Sequence, residues 1–183
     1  ANIPYKVCSG PDDFNEVSHI ILPGVGAFDQ AMQQLNDSGM REALDERVLQ
    51  AKTPVLGVCV GMQMMGRSSE EGVLPGLGWI DGVVKRIETQ NLRYKPALPH
   101  MGWNDVTPCQ PGGLFEGLEE GAVFYFLHSY CFVCSESDST LAETDYGSTF
   151  ASSVRTRNAY GVQFHPEKSH GYGIRLLTNF ANL

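Results

Sequence analysis

The sequence predicts an α/β domain, and three observations carry the prediction. Short apolar runs at 19–22 and 55–59 each end in a glycine turn, and helical stripes follow both. After Trp79 the pattern changes to brief β-rich segments separated by turns. A length of 183 residues fits one domain, and 42% hydrophobic with 19% charged content is ordinary globular composition. Disorder, collagen and coiled coil are excluded as global descriptions. No apolar run approaches the ~20 residues of a membrane helix, and Ala1–Lys6 lacks the apolar stretch of a signal peptide. The expectation is a soluble, cytoplasmic protein with no membrane partner.

Each element has a local reason. His19-Ile20-Ile21-Leu22 reads as a buried strand that Pro23-Gly24-Val25-Gly26 stops. Phe28, Met32 and Leu35 recur at helical spacing until Gly39, and a second helix is expected from Met40 to Ala51 with Leu44 and Val48 inward. Thr53-Pro54 breaks it. Val55–Cys59 is the next strand, followed at once by a helix over 61–65. Strand, turn and helix alternating in this way give a parallel sheet covered on both faces. Further strands are expected at Gly82–Glu88, Gly102–Val106, Ala122–Cys134, Leu141–Thr144, Thr149–Val154 and Tyr160–Phe164, and a last helix carries Ile174, Leu177 and Phe180. The whole chain, 1–183, is thus one domain with a mainly parallel sheet flanked by helices and an additional antiparallel β region.

The formal charge of −8 argues against nucleic acid as a partner, since binding phosphates needs a basic stripe. No Lys or Arg lies between Lys95 and Arg155, where eight acids account for the whole excess. That segment is either a solvated face or a match for a basic partner. The five cysteines are odd in number and irregular in spacing, which reads as reduced thiols. Cys131 and Cys134 lie three apart on an expected strand, pointing to opposite faces, so they are taken as structural and not as metal ligands.

Gly57-Val58-Cys59-Val60-Gly61 has the shape of a nucleophile elbow, a tight turn between a buried strand and a helix. The helix N-terminus is expected to lower the thiol pKa, and the amide of Val60 to face a developing oxyanion. The alternative for Cys59 is a small buried apolar side chain. His165 is the candidate base: it shares a strand face with Gln163, Pro166 ends the strand, and Glu167 follows where it can orient the imidazole. By itself a strand-end histidine followed by Pro-Glu is more often a surface feature, and it is the pairing with an elbow cysteine that reverses the balance. The loop Gly24-Val25-Gly26 offers a second oxyanion donor. Asp29 stands where a dinucleotide fingerprint needs its last glycine, so nucleotide binding is excluded. The chemistry requires no cofactor and no metal.

These motifs together resemble the class I, or triad, glutamine amidotransferases. The resemblance is carried by Pro-Gly-Val-Gly at 23–26, by the elbow through Gln63, and by Gln163-Phe164-His165-Pro166-Glu167. Within that family the chain is most similar to glutaminase subunits of imidazole glycerol phosphate synthase. Pro99–Asn104, Phe126–Tyr130, and the loop from Ser69 through Gly72 to Gly78 narrow it so. The resemblance implies a flavodoxin-like fold and hydrolysis of glutamine to glutamate and ammonia through a Cys59 thioester, with His165 and Glu167 completing a triad. It places Gln63, Glu71, Ser129 and Tyr130 at the glutamine pocket, with Glu70 competing for the role of Glu71. It also implies a (β/α)8-barrel cyclase subunit as heterodimer partner, receiving the ammonia in histidine biosynthesis. His100, Met101, Trp103 and Asn104 would face that partner, and Lys168 either reaches it or is solvated. Without the resemblance, Met101 and Trp103 would be assigned to core.

One departure from the family is the lack of its opening strand and helix, which carry a glycine-rich aspartate motif. A missing inner strand would expose strand edges and part of the core. Two other readings remain open from the sequence: the same glutaminase chemistry feeding a sugar-amidating partner in surface-polysaccharide synthesis, and a stand-alone cysteine hydrolase.

Overall fold

The structure is a computed structural model and describes residues 3–88, 90 and 98–183. A 3-10 turn at Pro11–Glu16 precedes β1 (Ile20–Gly24), α1 (Phe28–Asp37) and α2 (Arg41–Asp45). Then come β2 (Val55–Cys59), α3 (Val60–Met64), β3 (Gly82–Arg86), β4 (His100–Asp105) and β5 (Thr107–Pro108). The chain continues through β6 (Val123–His128), β7 (Tyr130–Cys134), β8 (Thr140–Asp145), β9 (Thr149–Thr156) and β10 (Ala159–Val162) to α4 (His170–Ala181).

The main sheet runs β1-β2-β10-β9-β7-β3, with β8 branching from β9 and β5 pairing β8, while β4 and β6 form a separate antiparallel ladder. Parallel pairing joins β1 to β2 and β2 to β10, and the remaining ladders are antiparallel. This is the α/β architecture with an antiparallel region that the pattern predicts, but the antiparallel part is larger than expected: among the described residues only two of the seven pairings in the main sheet are parallel. All of β2 and β10 is buried, whereas β1 alternates, with Ile21 50% exposed. Among the described residues β1 has no partner on its outer side, so it forms one edge of the sheet.

Three local details depart from the sequence reading. The expected helix from Met40 to Ala51 is α2 continued by a π-helical turn at Glu46–Gln50, where the Ala51 N–H reaches back to Glu46 O. The expected run Ala122–Cys134 divides at Ser129, sending β6 to the small ladder and β7 into the main sheet. In α4 the buried residues are Gly173, Leu176 and Phe180, and Ile174 is exposed. Gly173 sets that face, because a Cβ there would collide with the carbonyl oxygen of Pro166. Close approach of the helix to the 166–168 turn outranks the one-residue shift in apolar pattern.

The core is large and aromatic. Phe28, Met32, Leu56, Met62, Phe124, Phe126, Phe132, Phe164 and Phe180 are almost wholly buried, and Phe164 stacks on Phe124 at 4.1 Å between ring centroids. Phe164 immediately precedes His165, so this packing holds the end of β10 in place.

Candidate active site

Three neighbouring parallel strands end side by side, which is where open α/β sheets place their sites. Gly24 is in register with Cys59 across β1 and β2, and Val58 is in register with Val162 across β2 and β10. One register therefore puts the glycine loop against the elbow. The other puts Gln163 and His165 just beyond the nucleophile's strand.

Cys59 has φ 54° and ψ −113°, outside the regions that non-glycine residues favour. Such a conformation costs on the order of 1–3 kcal/mol and persists only where its surroundings enforce it. Here they do. A Cβ on Gly61 would collide with the Leu22 carbonyl oxygen, and one on Gly24 with the Gly61 nitrogen, so both glycines are needed for the elbow to press against β1. The elbow geometry expected at 57–61 is present.

The expected low thiol pKa is not. Cys59 is buried, and burial pushes its thiol up to about 11, outweighing the Val60 N–H that faces the sulfur. The nearby carboxylates of Glu167 and Glu71 push in the same direction. Helix α3 has only five residues, too short for a full dipole to offset the lost hydration. The thiol donates weakly to Leu127 O at 3.9 Å, and the side-chain amide of Gln163 donates to the sulfur at 3.7 Å.

His165 is buried at the end of β10, its backbone N–H held by Tyr125 O at 2.8 Å. Its Nδ1 lies 2.7 Å from Glu167 Oε1, in the 3-10 turn Pro166–Lys168. An acceptor on Nδ1 fixes the tautomer with Nδ1–H and leaves Nε2 with a free lone pair, the form a general base requires. The Glu167 side chain is 55% exposed, so one face of this pair is open to water. A groove of about 250 Å³ lined by Ile21, Gly24, His165 and Glu167 separates the β1 edge from this turn.

The two adjacent acids at 70 and 71 divide their roles. Glu70 accepts from the Arg86 N–H at 2.8 Å, while Glu71 accepts from the Phe28 N–H at 2.9 Å and is the one whose charge reaches Cys59. Reciprocally, Asp29 accepts from the N–H groups of Val73 and Leu74. Two carboxylates thus clasp the 69–74 loop to the start of α1, directly after Gly24-Val25-Gly26. The clasp by Asp29 had no signal in the sequence beyond a carboxylate in a first helical turn.

Gln63 is buried and donates both amide protons to protein acceptors, Tyr130 O at 3.1 Å and Gln163 Oε1 at 3.0 Å. Only its carbonyl oxygen is left for a ligand, so its main task is to brace the pocket wall. Ser129 and Tyr130 stand at the β6–β7 bend, where the Tyr130 carbonyl accepts from Gln63. Gln163 was legible only as a face-mate of His165, and its contact with the sulfur emerges from the register.

Of the residues expected to face a partner, Met101 is 65% and Trp103 48% exposed, on the outer face of the β4–β6 ladder with Leu127 opposite Met101. Their assignment to core by alternation fails, since alternation separates two faces without saying which is covered. His100 is the correction in the opposite sense. It is 3% exposed, stacked on Phe126 and Tyr146, and unavailable to a partner. Asn104 is half-buried and binds inward to His100 and Asp145 O. Lys168 is exposed, its Nζ 5.5 Å from the centre of the Tyr125 ring.

Comparison with known proteins places the chain in a family. The family model for glutamine amidotransferase class-I matches residues 7–182. A protein of Bdellovibrio bacteriovorus named imidazole glycerol phosphate synthase subunit HisH is 54% identical over 182 residues, covering 100% of this chain and 89% of that protein. A protein of the same name from Leptospira interrogans is 44% identical over 182 residues, with coverage of 100% and 89%. A crystal structure of a glutamine amidotransferase superposes with a TM-score of 0.66 at 18% identity, covering 98% of this chain and 87% of that one. At that identity the structural likeness speaks for the fold.

Proposed function

The chain belongs to the glutamine amidotransferase class-I family, and on that premise we propose that it is the glutaminase subunit of imidazole glycerol phosphate synthase. It releases ammonia from glutamine and passes it to a (β/α)8-barrel cyclase subunit in histidine biosynthesis. The observation that carries the chemistry is the convergence of three strand ends on one point: the strained Cys59 elbow, the glycine loop in register with it, and the His165–Glu167 pair at 2.7 Å.

In this reading His165 Nε2 takes the Cys59 proton while the sulfur attacks the side-chain amide carbon of glutamine. The C–N bond breaks, and the same proton leaves with ammonia. Water then gives a proton to Nε2 and adds to the thioester, the C–S bond breaks, and glutamate departs as the thiol recovers its proton. Glu167 holds the imidazole and offsets its transient positive charge. The Val60 N–H and an amide of the 24–26 loop receive the oxyanion. Glu71 offers a carboxylate to the α-ammonium of glutamine, with Ser129 and Tyr130 on the facing wall.

The raised thiol pKa supports a subunit that waits for its partner. Burial raises the thiol well above its ordinary range, so at neutral pH it stays protonated until a base takes the proton. The thiol donates to Leu127 O, so catalysis begins by freeing it from that carbonyl. Leu127 lies on the ladder that exposes Met101 and Trp103, an apolar face of the kind that anchors interfaces. A partner seated on Met101, Trp103 and Leu127, with Lys168 at its rim, reaches the strand that holds the sulfur. A stand-alone cysteine hydrolase has no use for either feature.

The test is glutamate release from glutamine by the chain alone and with the barrel cyclase subunit and its ribonucleotide. Stimulation of at least tenfold by the partner is expected. Equal rates with and without it would refute the assignment to this synthase while leaving the glutaminase chemistry to be judged on Cys59 alone.

A further inference from the structure

Two buried histidines, His100 and His128, take no part in the chemistry above. His100 Nδ1 lies 3.0 Å from His128 Nε2, Asn104 Nδ2 lies 3.2 Å from His100 Nε2, and His128 Nδ1 lies 2.8 Å from Tyr130 O. The partners fix the tautomers, because a carbonyl only accepts. His128 must donate from Nδ1 to Tyr130 O, which leaves its Nε2 to accept from His100 Nδ1–H. His100 Nε2 then accepts from Asn104. The Asn104 amide is itself oriented, its Oδ1 accepting from the Asp105 N–H and its NH2 also donating to Asp145 O.

The same carbonyl continues the chain. Tyr130 O also accepts from Gln63, Gln63 donates onward to Gln163 Oε1, and Gln163 donates to Cys59 Sγ. Every member between Asn104 and the sulfur is buried or half-buried, and the two arms meet at Tyr130 O, which accepts from His128 on one side and from Gln63 on the other. Burial holds both histidines neutral, His128 near 3 and His100 near 4, so the relay stays in one protonation state.

We propose that His100, His128 and Gln163 are positioning residues for Cys59: a hydrogen-bonded relay from the β4–β6 ladder that pins Tyr130 O and, through Gln63, aims the Gln163 N–H at the sulfur and stabilises its thiolate. It rests on the reading of Cys59 as the nucleophile. Its inner end sets the sulfur's donor, and its outer end, Asn104, lies on the strand that carries Met101 and Trp103. Displacing that strand shifts the donor at the sulfur. Glu167 and Glu71, the charged groups near the thiol, stay in place in all the variants below.

The test is the rate at which iodoacetamide alkylates Cys59 at pH 9, followed on its own peptide by mass spectrometry, with circular dichroism confirming the fold. Gln163→Met is expected to slow alkylation about tenfold, the effect of one hydrogen bond to a charged group, and to lower kcat for glutamate release with little change in KM. His100→Leu is expected to slow it several-fold, while His100→Asn, which keeps a donor at the Nδ1 position, restores the wild-type rate. Equal rates in folded His100→Leu and His100→Asn would overturn the relay in favour of packing. Should His100→Leu not fold, Asn104→Ala at the half-exposed end decides, with a two- to threefold slowing expected and a wild-type rate overturning the proposal. Alkylation needs no glutamine, so this result stands apart from the glutaminase reading, whose own failure would be glutamate release surviving Cys59→Ala.

Discussion

Acid should unfold this chain earlier than its carboxylates alone require, because two histidines are buried neutral. Desolvation depresses His128 from 6.5 to about 3, helped by the nearby His100 and His165, and depresses His100 from 6.5 to about 4. In the unfolded chain both return to about 6.5. Below that value the unfolded state holds up to two more protons than the fold. The stability owed to these residues is complete above pH 6.5 and is lost as pH falls toward 4. Each proton contributes a slope of about 1.4 kcal/mol per pH unit, so two histidines cost roughly 5 kcal/mol between pH 7 and pH 4.5. That is comparable with the whole stability of a small domain, about 5–15 kcal/mol. Urea midpoints read by tryptophan fluorescence at pH 7, 6, 5 and 4.5 would measure the slope. His100→Asn should remove about half of it. A wild-type stability flat from pH 7 to 5, or an unchanged slope in a folded His100→Asn, would refute the argument.

Other consequences follow from the site and the exposed ladder. Gly61→Ala places a Cβ on the Leu22 carbonyl oxygen and should cost about 1–3 kcal/mol by thermal denaturation, with glutamate release falling further than stability because the elbow shifts. Glu167→Gln should lower kcat by about 10²–10⁴-fold, with the circular dichroism spectrum unchanged, since an amide cannot offset the imidazolium. A kcat within twofold of wild type would remove Glu167 from the triad. Trp103→Ala should leave the isolated chain within about 0.5–1 kcal/mol of wild type yet weaken binding of the cyclase subunit by about 2 kcal/mol, roughly thirtyfold, in calorimetric titration. Undiminished affinity would move the interface elsewhere.

Much of this arrangement was legible because it depends on neighbours in sequence. The glycines flanking Cys59, the apolar runs of β1 and β2, and Glu167 two residues after His165 are local patterns with local causes. What sequence reasoning missed depends on residues far apart. His100 belongs to the face of β4 that is covered, yet Tyr146 and Phe126 do the covering, and alternation cannot anticipate them. The thiol pKa went the wrong way because a helix N-terminus is visible in sequence, whereas the burial that outweighs it comes from packing around the elbow. Of the three apolar residues that mark α4 in the sequence, Ile174 is exposed, because the close Gly173–Pro166 approach sets which face of the helix is covered.

The role proposed for Cys59 is to carry the glutamyl group. Acid quenching of the chain turning over glutamine with the cyclase subunit, followed by peptide mass spectrometry, tests it directly. The expected result is a glutamyl adduct on the Cys59 peptide and on none of those containing Cys8, Cys109, Cys131 or Cys134, with no adduct and no glutamate from Cys59→Ala. Glutamate released by Cys59→Ala at the wild-type rate would contradict the account.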